Sequence, residues 1–371
     1  MKNILVMGAG KIGEMIASML AHTGDYHVTV GDHSDISLAK LPKHDHIVPR
    51  KVDATNESDL LAALDGQYAI LSALPYTMTK YLAPAAKKAK VNYFDLTEDV
   101  AATKMVRELA EGAETAFIPQ CGLAPGFIGI VAYHLTKGFD SLHNVHMRVG
   151  ALPEMPSNAL KYNLTWSTDG LINEYCQPCE AIIDGKLTTT PPLEQLETIS
   201  IDGVEYEAFN TSGGLGTLCE TLEGKVRNMN YRTMRYPGHR DILKLLLQDL
   251  RLNERQDLMK EIFENSLPFT QQDVIVIYAT VSGMKNGRYM EESYAHRVYA
   301  QEYNGQMHTG IQITTAAGIC AMLDMLANGD LPQKGFVRQE DTDFDIFIAN
   351  RFGSAYARTE EDDHSLKLAA E

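Results

Sequence analysis

Asn3-Ile4-Leu5-Val6-Met7-Gly8-Ala9-Gly10-Lys11-Ile12-Gly13 is the stretch that decides how this chain folds. A short apolar run ends in G-x-G-x-x-G, and an amphipathic segment from Glu14 to His22 follows at once. Strand, glycine turn and helix in that order open a βαβ unit built to receive a dinucleotide. Gly8 permits the tight turn, Gly10 lets backbone approach a pyrophosphate, and Gly13 lets the helix lie close to the sheet. The opening N–H groups of the helix, at Lys11 and Ile12, then meet the phosphates with the positive end of the helix dipole behind them.

The next strand, Tyr26-His27-Val28-Thr29-Val30, leads to Asp32, about 20 residues beyond the glycines. An acid there accepts bonds from the adenosine ribose hydroxyls and repels a 2′-phosphate; with no arginine near it in the sequence, it favours NAD over NADP. The rhythm then repeats. Strand-like 47–52 precedes helical 57–64, and strand 68–72 precedes helix 80–88. Strand 92–95, helix 100–112 and strand 115–118 complete the series. Such alternation predicts an α/β fold: a doubly wound parallel sheet, a Rossmann domain over residues 1–122.

After Pro125-Gly126 the pattern changes. Long strand-like pieces dominate from about Asn144, and Asn286-Gly287 between two of them is a strong hairpin signal, because both residues must take positive φ. Residues 123–310 are therefore expected to form a second α+β domain on a mixed sheet. Residues 311–371 are expected to return to the first domain, beginning with a helix over 315–326. The polar tail after Arg358 is expected to fray.

With Lys+Arg 33 against Asp+Glu 49, the net charge of −16 repels phosphate backbones and anionic lipids, so neither nucleic acid nor membrane is an expected partner. No apolar run is read as long enough to span a bilayer. The N-terminus lacks the pattern of a signal peptide, and the five cysteines form no disulfide framework. A cytoplasmic address is the simplest expectation. Cys176-Gln177-Pro178-Cys179 has zinc or redox spacing, but no second pair and no nearby histidine completes a site, and no metal is expected.

In an open parallel sheet, ligands bind beyond the carboxyl ends of the strands. Ala73-Leu74-Pro75-Tyr76 and Asp95-Leu96-Thr97-Glu98 hold those positions after the fourth and fifth strands. Asp95 reads equally as a base or as a helix cap, and Glu98 as a cap. Asp53 reads as an adenine contact or as an ordinary turn residue. Trp166, the only tryptophan, is either core filler or a pocket wall.

Taken together these residues resemble the saccharopine dehydrogenase family, and within it the lysine 6-dehydrogenases, from the N-terminal fingerprint to about residue 350. The segments that carry the resemblance are Leu74-Pro75-Tyr76-Thr77, Cys121-Gly122-Leu123-Ala124-Pro125-Gly126, Tyr162 to Ser167, Asn210-Thr211-Ser212-Gly213-Gly214, and Tyr231-Arg232-Thr233-Met234-Arg235-Tyr236-Pro237-Gly238-His239. The resemblance implies oxidation of L-lysine at its ε-carbon by NAD. The imine then hydrolyses to ammonia and 2-aminoadipate 6-semialdehyde, which cyclises to a piperideine carboxylate. It implies cofactor contacts from Ala73, Leu74, Pro75, Leu96, Cys121 and Gly122, and proton transfer at Asp95 or Thr97. Tyr76 becomes a pocket wall, Arg232 beside Thr233 a carboxylate clamp, and His239 an acid–base group or a buried structural histidine.

Ala124 and Thr211 stand where glutamate-forming saccharopine dehydrogenases usually have an aspartate and an arginine, which suits a substrate with fewer carboxylates. Arg232 is retained where saccharopine enzymes hold a carboxylate. The alternatives are therefore a saccharopine dehydrogenase or related imine-reducing enzyme, and, of another class, an NAD-binding sensor without turnover. The resemblance also suggests a homodimer through the second domain.

Overall fold

In the computed structural model, residues 1–358 are described, so the expected fraying of 359–371 lies outside them. The chain divides into two compact units: 1–127 with 312–355, and 128–311 with the stretch that begins at Tyr356.

Six strands of the first unit follow the apolar runs: β1 (Lys2–Met7), β2 (Tyr26–Asp32), β3 (Ile47–Lys51), β4 (Ala69–Ser72), β5 (Asn92–Asp95) and β6 (Ala116–Ile118). All pair in parallel, in the order β6-β5-β4-β1-β2-β3. The chain moves outward from β1 to β3 and then restarts at β4 on the other side, so the switch point lies between β1 and β4. Pro49 sits on β3, the edge strand, where a missing N–H costs no ladder bond. Leu5, Met7, Ile70, Leu82, Tyr93 and Phe117 form one core cluster under the sheet, and each such side chain contributes about 1.5–3 kcal/mol by leaving water.

The late segment of this unit adds what short-range patterns do not reveal. A two-residue strand, Gly335–Phe336, pairs in parallel with β6 as the seventh strand. The helix Gly310–Asn328 corrects the expectation about apolar runs. It is 19 residues long and apolar enough, by length and composition, to cross a membrane, yet 83% of its apolar window is buried inside the protein. Its Asp324 accepts the Tyr26 hydroxyl at 2.5 Å, Arg351 at 2.6 Å and the Asn350 amide at 2.8 Å.

The second unit carries β7 (Ser141–Pro153), β8 (Cys179–Ile183), β9 (Lys186–Thr190), β10 (Glu197–Ile201), β11 (Val204–Asn210), β12 (Val226–Arg235), β13 (Asp273–Lys285) and β14 (Arg288–Tyr299). The main order is β10-β11-β12-β7-β13-β14; β12 and β7 run parallel and the rest antiparallel, which is the mixed sheet the sequence predicts. Asn286 and Gly287, with φ of 52° and 73°, close the β13–β14 hairpin as a two-residue turn. Strand alternation sorts β12 into two faces. Tyr231, Thr233 and Arg235 point to the face where Tyr162, Leu171, Tyr175, Phe209, Leu243 and Phe263 cluster. Asn230, Arg232 and Met234 point to the other, with Arg148, Tyr206 and Val276.

Candidate nucleotide site and polar clusters

The glycine turn has the geometry its spacing implies. Gly8 has φ +109°, and a Cβ there would stand 2.9 Å from the Ala73 carbonyl oxygen. A Cβ on Gly13 would meet the Gly8 carbonyl at 1.8 Å, so only glycine lets α1 (Lys11–Ala21) approach β1 this closely. Gly10 is different: its backbone is extended, and a Cβ would meet nothing within 4 Å. Above Gly10 lies the open space that a pyrophosphate requires, and no side chain caps the helix there. The first bond of the helical ladder runs from the Glu14 N–H to the Gly10 carbonyl.

Asp32 folds over this turn. One carboxylate oxygen accepts the Ala9 N–H at 2.7 Å, and the other accepts the Ser34 N–H at 2.8 Å. The side chain is 11% exposed, with His33 at 3.3 Å. Strand pairing places Arg50 opposite Gly31 and Lys51 opposite Asp32, so basic residues distant in sequence stand one strand away. The Lys51 ammonium is committed to Asp35 at 2.5 Å. Asp53 is a turn residue, accepting both the N–H and the hydroxyl of Thr55; those bonds hold its carboxyl below the usual range.

Ala73, Leu74 and Pro75 follow β4 beside Gly8, with the Ala73 N–H bonded to the Met7 carbonyl at 2.8 Å. Tyr76 begins a short 3-10 turn. Leu96 lies against Gly122. Asp95 is buried, and internal donors engage its carboxylate: the Thr97 N–H at 3.0 Å, the Gln120 N–H at 2.9 Å and the Tyr93 hydroxyl at 2.9 Å. Burial raises its pKa although those bonds oppose the shift. This is the environment of a carboxylate that shapes the β5 loop, and Thr97 is buried beside it. The helix cap expected at Glu98 falls one residue later, at Asp99, which accepts the Ala102 N–H at 2.7 Å. The Cys121 thiol is buried, with its pKa raised by desolvation, and Gln339 reaches the Pro119 carbonyl beside it at 2.8 Å. Gln339 lies too far along the chain for any local motif to announce it.

In the second unit, adjacent strand residues separate what the resemblance groups. Arg232 and Thr233 lie on opposite faces of the sheet. The Arg232 guanidinium meets the Glu197 carboxylate at 2.5 Å and the Gln195 side chain at 3.1 Å. Arg148, 2% exposed, pairs with the same carboxylate and bonds Asn230 at 2.8 Å. Burial disfavours the Glu197 anion, but the two guanidiniums outweigh it and hold its pKa low. The Arg232 clamp is therefore occupied within the chain by Glu197, a partner with no motif to mark it.

On the opposite face the Thr233 hydroxyl bonds the Val149 carbonyl. Arg235 donates to the Tyr175 hydroxyl at 3.0 Å, Tyr175 stands 3.2 Å from His239 Nε2, and His239 Nδ1 stands 2.9 Å from the Leu160 carbonyl. A neutral imidazole protonated at Nδ1 satisfies all three contacts. Burial, reinforced by Arg235, drives the His239 pKa down to about 3. His239 is 1% exposed and has the environment of a buried structural histidine. Trp166 is half-buried against the same apolar cluster.

The fold and the glycine turn define a class: a two-unit protein whose first unit is a dinucleotide-binding domain. Residues 4–118 match the family model described as the saccharopine dehydrogenase NADP binding domain, and residues 122–352 match the saccharopine dehydrogenase C-terminal domain. The chain belongs to the saccharopine dehydrogenase family, whose first domain takes a nicotinamide cofactor. It is 25% identical over 250 residues to the mitochondrial alpha-aminoadipic semialdehyde synthase of Bos taurus, covering 62% of this chain and 27% of that protein. It is also 25% identical over 288 residues to saccharopine dehydrogenase (NADP+, L-glutamate-forming) of Saccharomyces cerevisiae, covering 73% of this chain and 62% of that one. The chain thus spans less than two thirds of the length of these curated relatives. The apo saccharopine dehydrogenase (L-Glu forming) structure from Saccharomyces cerevisiae superposes with a TM-score of 0.76 at 16% identity, over 94% of this chain and 96% of that one, and has the same fold.

Proposed function

We propose that this chain is an NAD-dependent oxidoreductase of amino-acid C–N bonds that acts on the ε-amine of L-lysine in lysine breakdown. The observation that carries the cofactor choice is the Asp32 carboxylate, held over the glycine turn by the Ala9 N–H at 2.7 Å. An anion so placed accepts ribose hydroxyls and repels a 2′-phosphate. The residues fit the cofactor: Gly10 leaves room for a pyrophosphate, and the start of α1 supplies the positive end of its dipole. Bound there, NAD supplies the hydride acceptor.

What the chain's own residues contribute is placement. Asp32 fixes the adenosine end, the Ala73–Pro75 loop packs against the turn, and the bonds to Asp95 hold the β5 loop in one shape. The lysine ε-ammonium, with a reference pKa of about 10.4, must lose a proton before its carbon can deliver hydride. The Asp95 carboxylate is engaged by three donors and a threonine hydroxyl is no base, so these two residues would shape the loop that meets the substrate while the ammonium proton passes to solvent water. Lysine carries one carboxylate where saccharopine carries three, and Thr211 stands where glutamate-forming saccharopine dehydrogenases usually have an arginine.

A second reading is saccharopine oxidation, favoured by the names of the relatives and by the NADP-binding description of the first-domain model. Incubation with NAD or NADP and either lysine or saccharopine separates the two. NADH formed with lysine, together with ammonia, supports the proposal. Glutamate released from saccharopine replaces it, and tight NAD binding without turnover on either substrate indicates a sensor.

A further inference from the structure

At the amino end of the first sheet, away from Gly8 and Asp32, four histidines share one surface. His22 caps α1, His27 lies near the start of β2 opposite Asn3, and His44 and His46 come from the segment that leads into β3. Their rings stand in a row: His22 to His44 at 4.6 Å between centroids, His44 to His46 at 5.4 Å, and His46 to His27 at 6.3 Å. His22 is exposed and the other three are half-buried, so solvent ions reach them. None takes part in the nucleotide site.

Imidazoles that share one zinc ion at Zn–N distances of about 2.0–2.1 Å and near-tetrahedral angles hold their ring centres roughly 5 Å apart. The separations of 4.6 and 5.4 Å bracket that value for two of the three pairs, and His22 and His46 must draw together around His44 to share one ion. His22 is also braced as a metal-binding histidine usually is: its Nδ1 lies 2.7 Å from the Ser18 carbonyl, which fixes the proton on Nδ1 and turns the Nε2 lone pair outward. Among the described residues no three His, Cys, Asp or Glu side chains already converge on a point. His44 Nδ1 accepts the His46 N–H at 3.1 Å. That one hydrogen bond must open, with rotation of the ring, for His44 to join His22 and His46.

We propose that His22, His44 and His46 bind a divalent transition-metal ion of the zinc class, with His27 next in the row as an auxiliary ligand. The ion would tie the end of α1 to the segment before β3, so its effect is on the stability of the first unit. The chain's net charge of −16 favours cations in general, but imidazole ligands select zinc, copper or nickel over magnesium. Cysteines compete poorly. Four of the five are buried, and burial drives the Cys176 thiol up to about 11 and that of Cys179 to about 12.

The test uses the full-length protein, stripped with a chelator and titrated with zinc chloride by calorimetry at neutral pH, with magnesium chloride as the control. The expected result is one zinc ion per chain with micromolar affinity, no heat from magnesium, and a zinc-dependent rise in melting temperature. His22→Ala and His44→Ala each weaken zinc by about tenfold or more, whereas His143→Ala, in the other unit, leaves it unchanged. Circular dichroism of the variants confirms that they fold. No zinc binding by the wild type overturns the proposal, and so does equal binding by the wild type and the His22→Ala/His44→Ala double variant.

Discussion

Alanine at Gly10 and alanine at Gly13 have different consequences for stability, and the Gly10 change acts on the cofactor. At Gly13 the new Cβ lands 1.8 Å from the Gly8 carbonyl oxygen, whereas real Cβ atoms stay beyond 3.0 Å, so α1 or the turn must yield by about 1.2 Å. Both are backbone, with no flexible side chain to absorb the overlap. Overpacking of this kind costs about 1–3 kcal/mol, or roughly 2–4 °C in melting temperature per kcal/mol for a unit of this size. At Gly10 the new Cβ meets nothing within 4 Å, and φ of −78° is ordinary for any residue. Gly10→Ala therefore folds as well as the wild type, or gains about 0.4–1 kcal/mol because its unfolded chain is less free. The methyl group nevertheless occupies the space proposed for the pyrophosphate. Loss of one or two charge-assisted bonds, worth about 1.5–3 kcal/mol each, weakens NAD roughly a hundredfold. Calorimetric titration with NAD, beside thermal unfolding of the same samples, reads both effects. A Gly10→Ala protein that binds NAD like the wild type would refute the reasoning, because the dinucleotide would then lie elsewhere.

Three further outcomes follow from buried charge. His239, with its pKa pushed to about 3, and His146, pushed to about 4, gain protons only on unfolding between those values and their reference near 6.5. Stability is thus complete above pH 6.5 and falls as pH drops below it, by up to about 1.36 kcal/mol per pH unit for each histidine; His239→Gln should flatten the slope by about one proton, read from urea unfolding across that range. Glu197→Gln should destabilise by about 1–3 kcal/mol, discounted because the carboxylate is 31% exposed. Since the folded pKa of Glu197 is depressed, the difference from wild type is full above the ordinary glutamate value of 4.5 and vanishes as pH falls through the folded value, which melting curves at a series of pH values will show. Asp324→Ala removes the acceptor of the buried Tyr26 hydroxyl and of the Asn350 amide and leaves Arg351 with Asp25 alone; it should cost about 2–4 kcal/mol, seen as early melting of the first unit by hydrogen exchange.

Much of the first unit was legible in the sequence because its signals are local. Gly8, Gly10 and Gly13 act within one turn, and Asp32 ends the next strand, so spacing alone brings them together. Asn286-Gly287 is legible for the same reason. Asp95 was ambiguous because the donors that decide its role include the N–H of Gln120, 25 residues away. Glu197 carries no motif, and its value to Arg148 and Arg232 exists only once β10 and β12 lie in one sheet. Arg232 and Thr233 teach a different lesson. The two-residue period of a strand places neighbours on opposite faces, a constraint already in the sequence that grouping by resemblance overlooked. The helix Gly310–Asn328 is apolar on every side because it is buried on nearly every side, and composition alone does not distinguish that from a membrane span.

The measurement closest to the central claim is titration of the wild-type protein with NAD and with NADP at neutral pH. Asp32 over the glycine turn predicts one NAD per chain, bound at least about tenfold more tightly than NADP. No heat with either dinucleotide, or tighter binding of NADP, would contradict it.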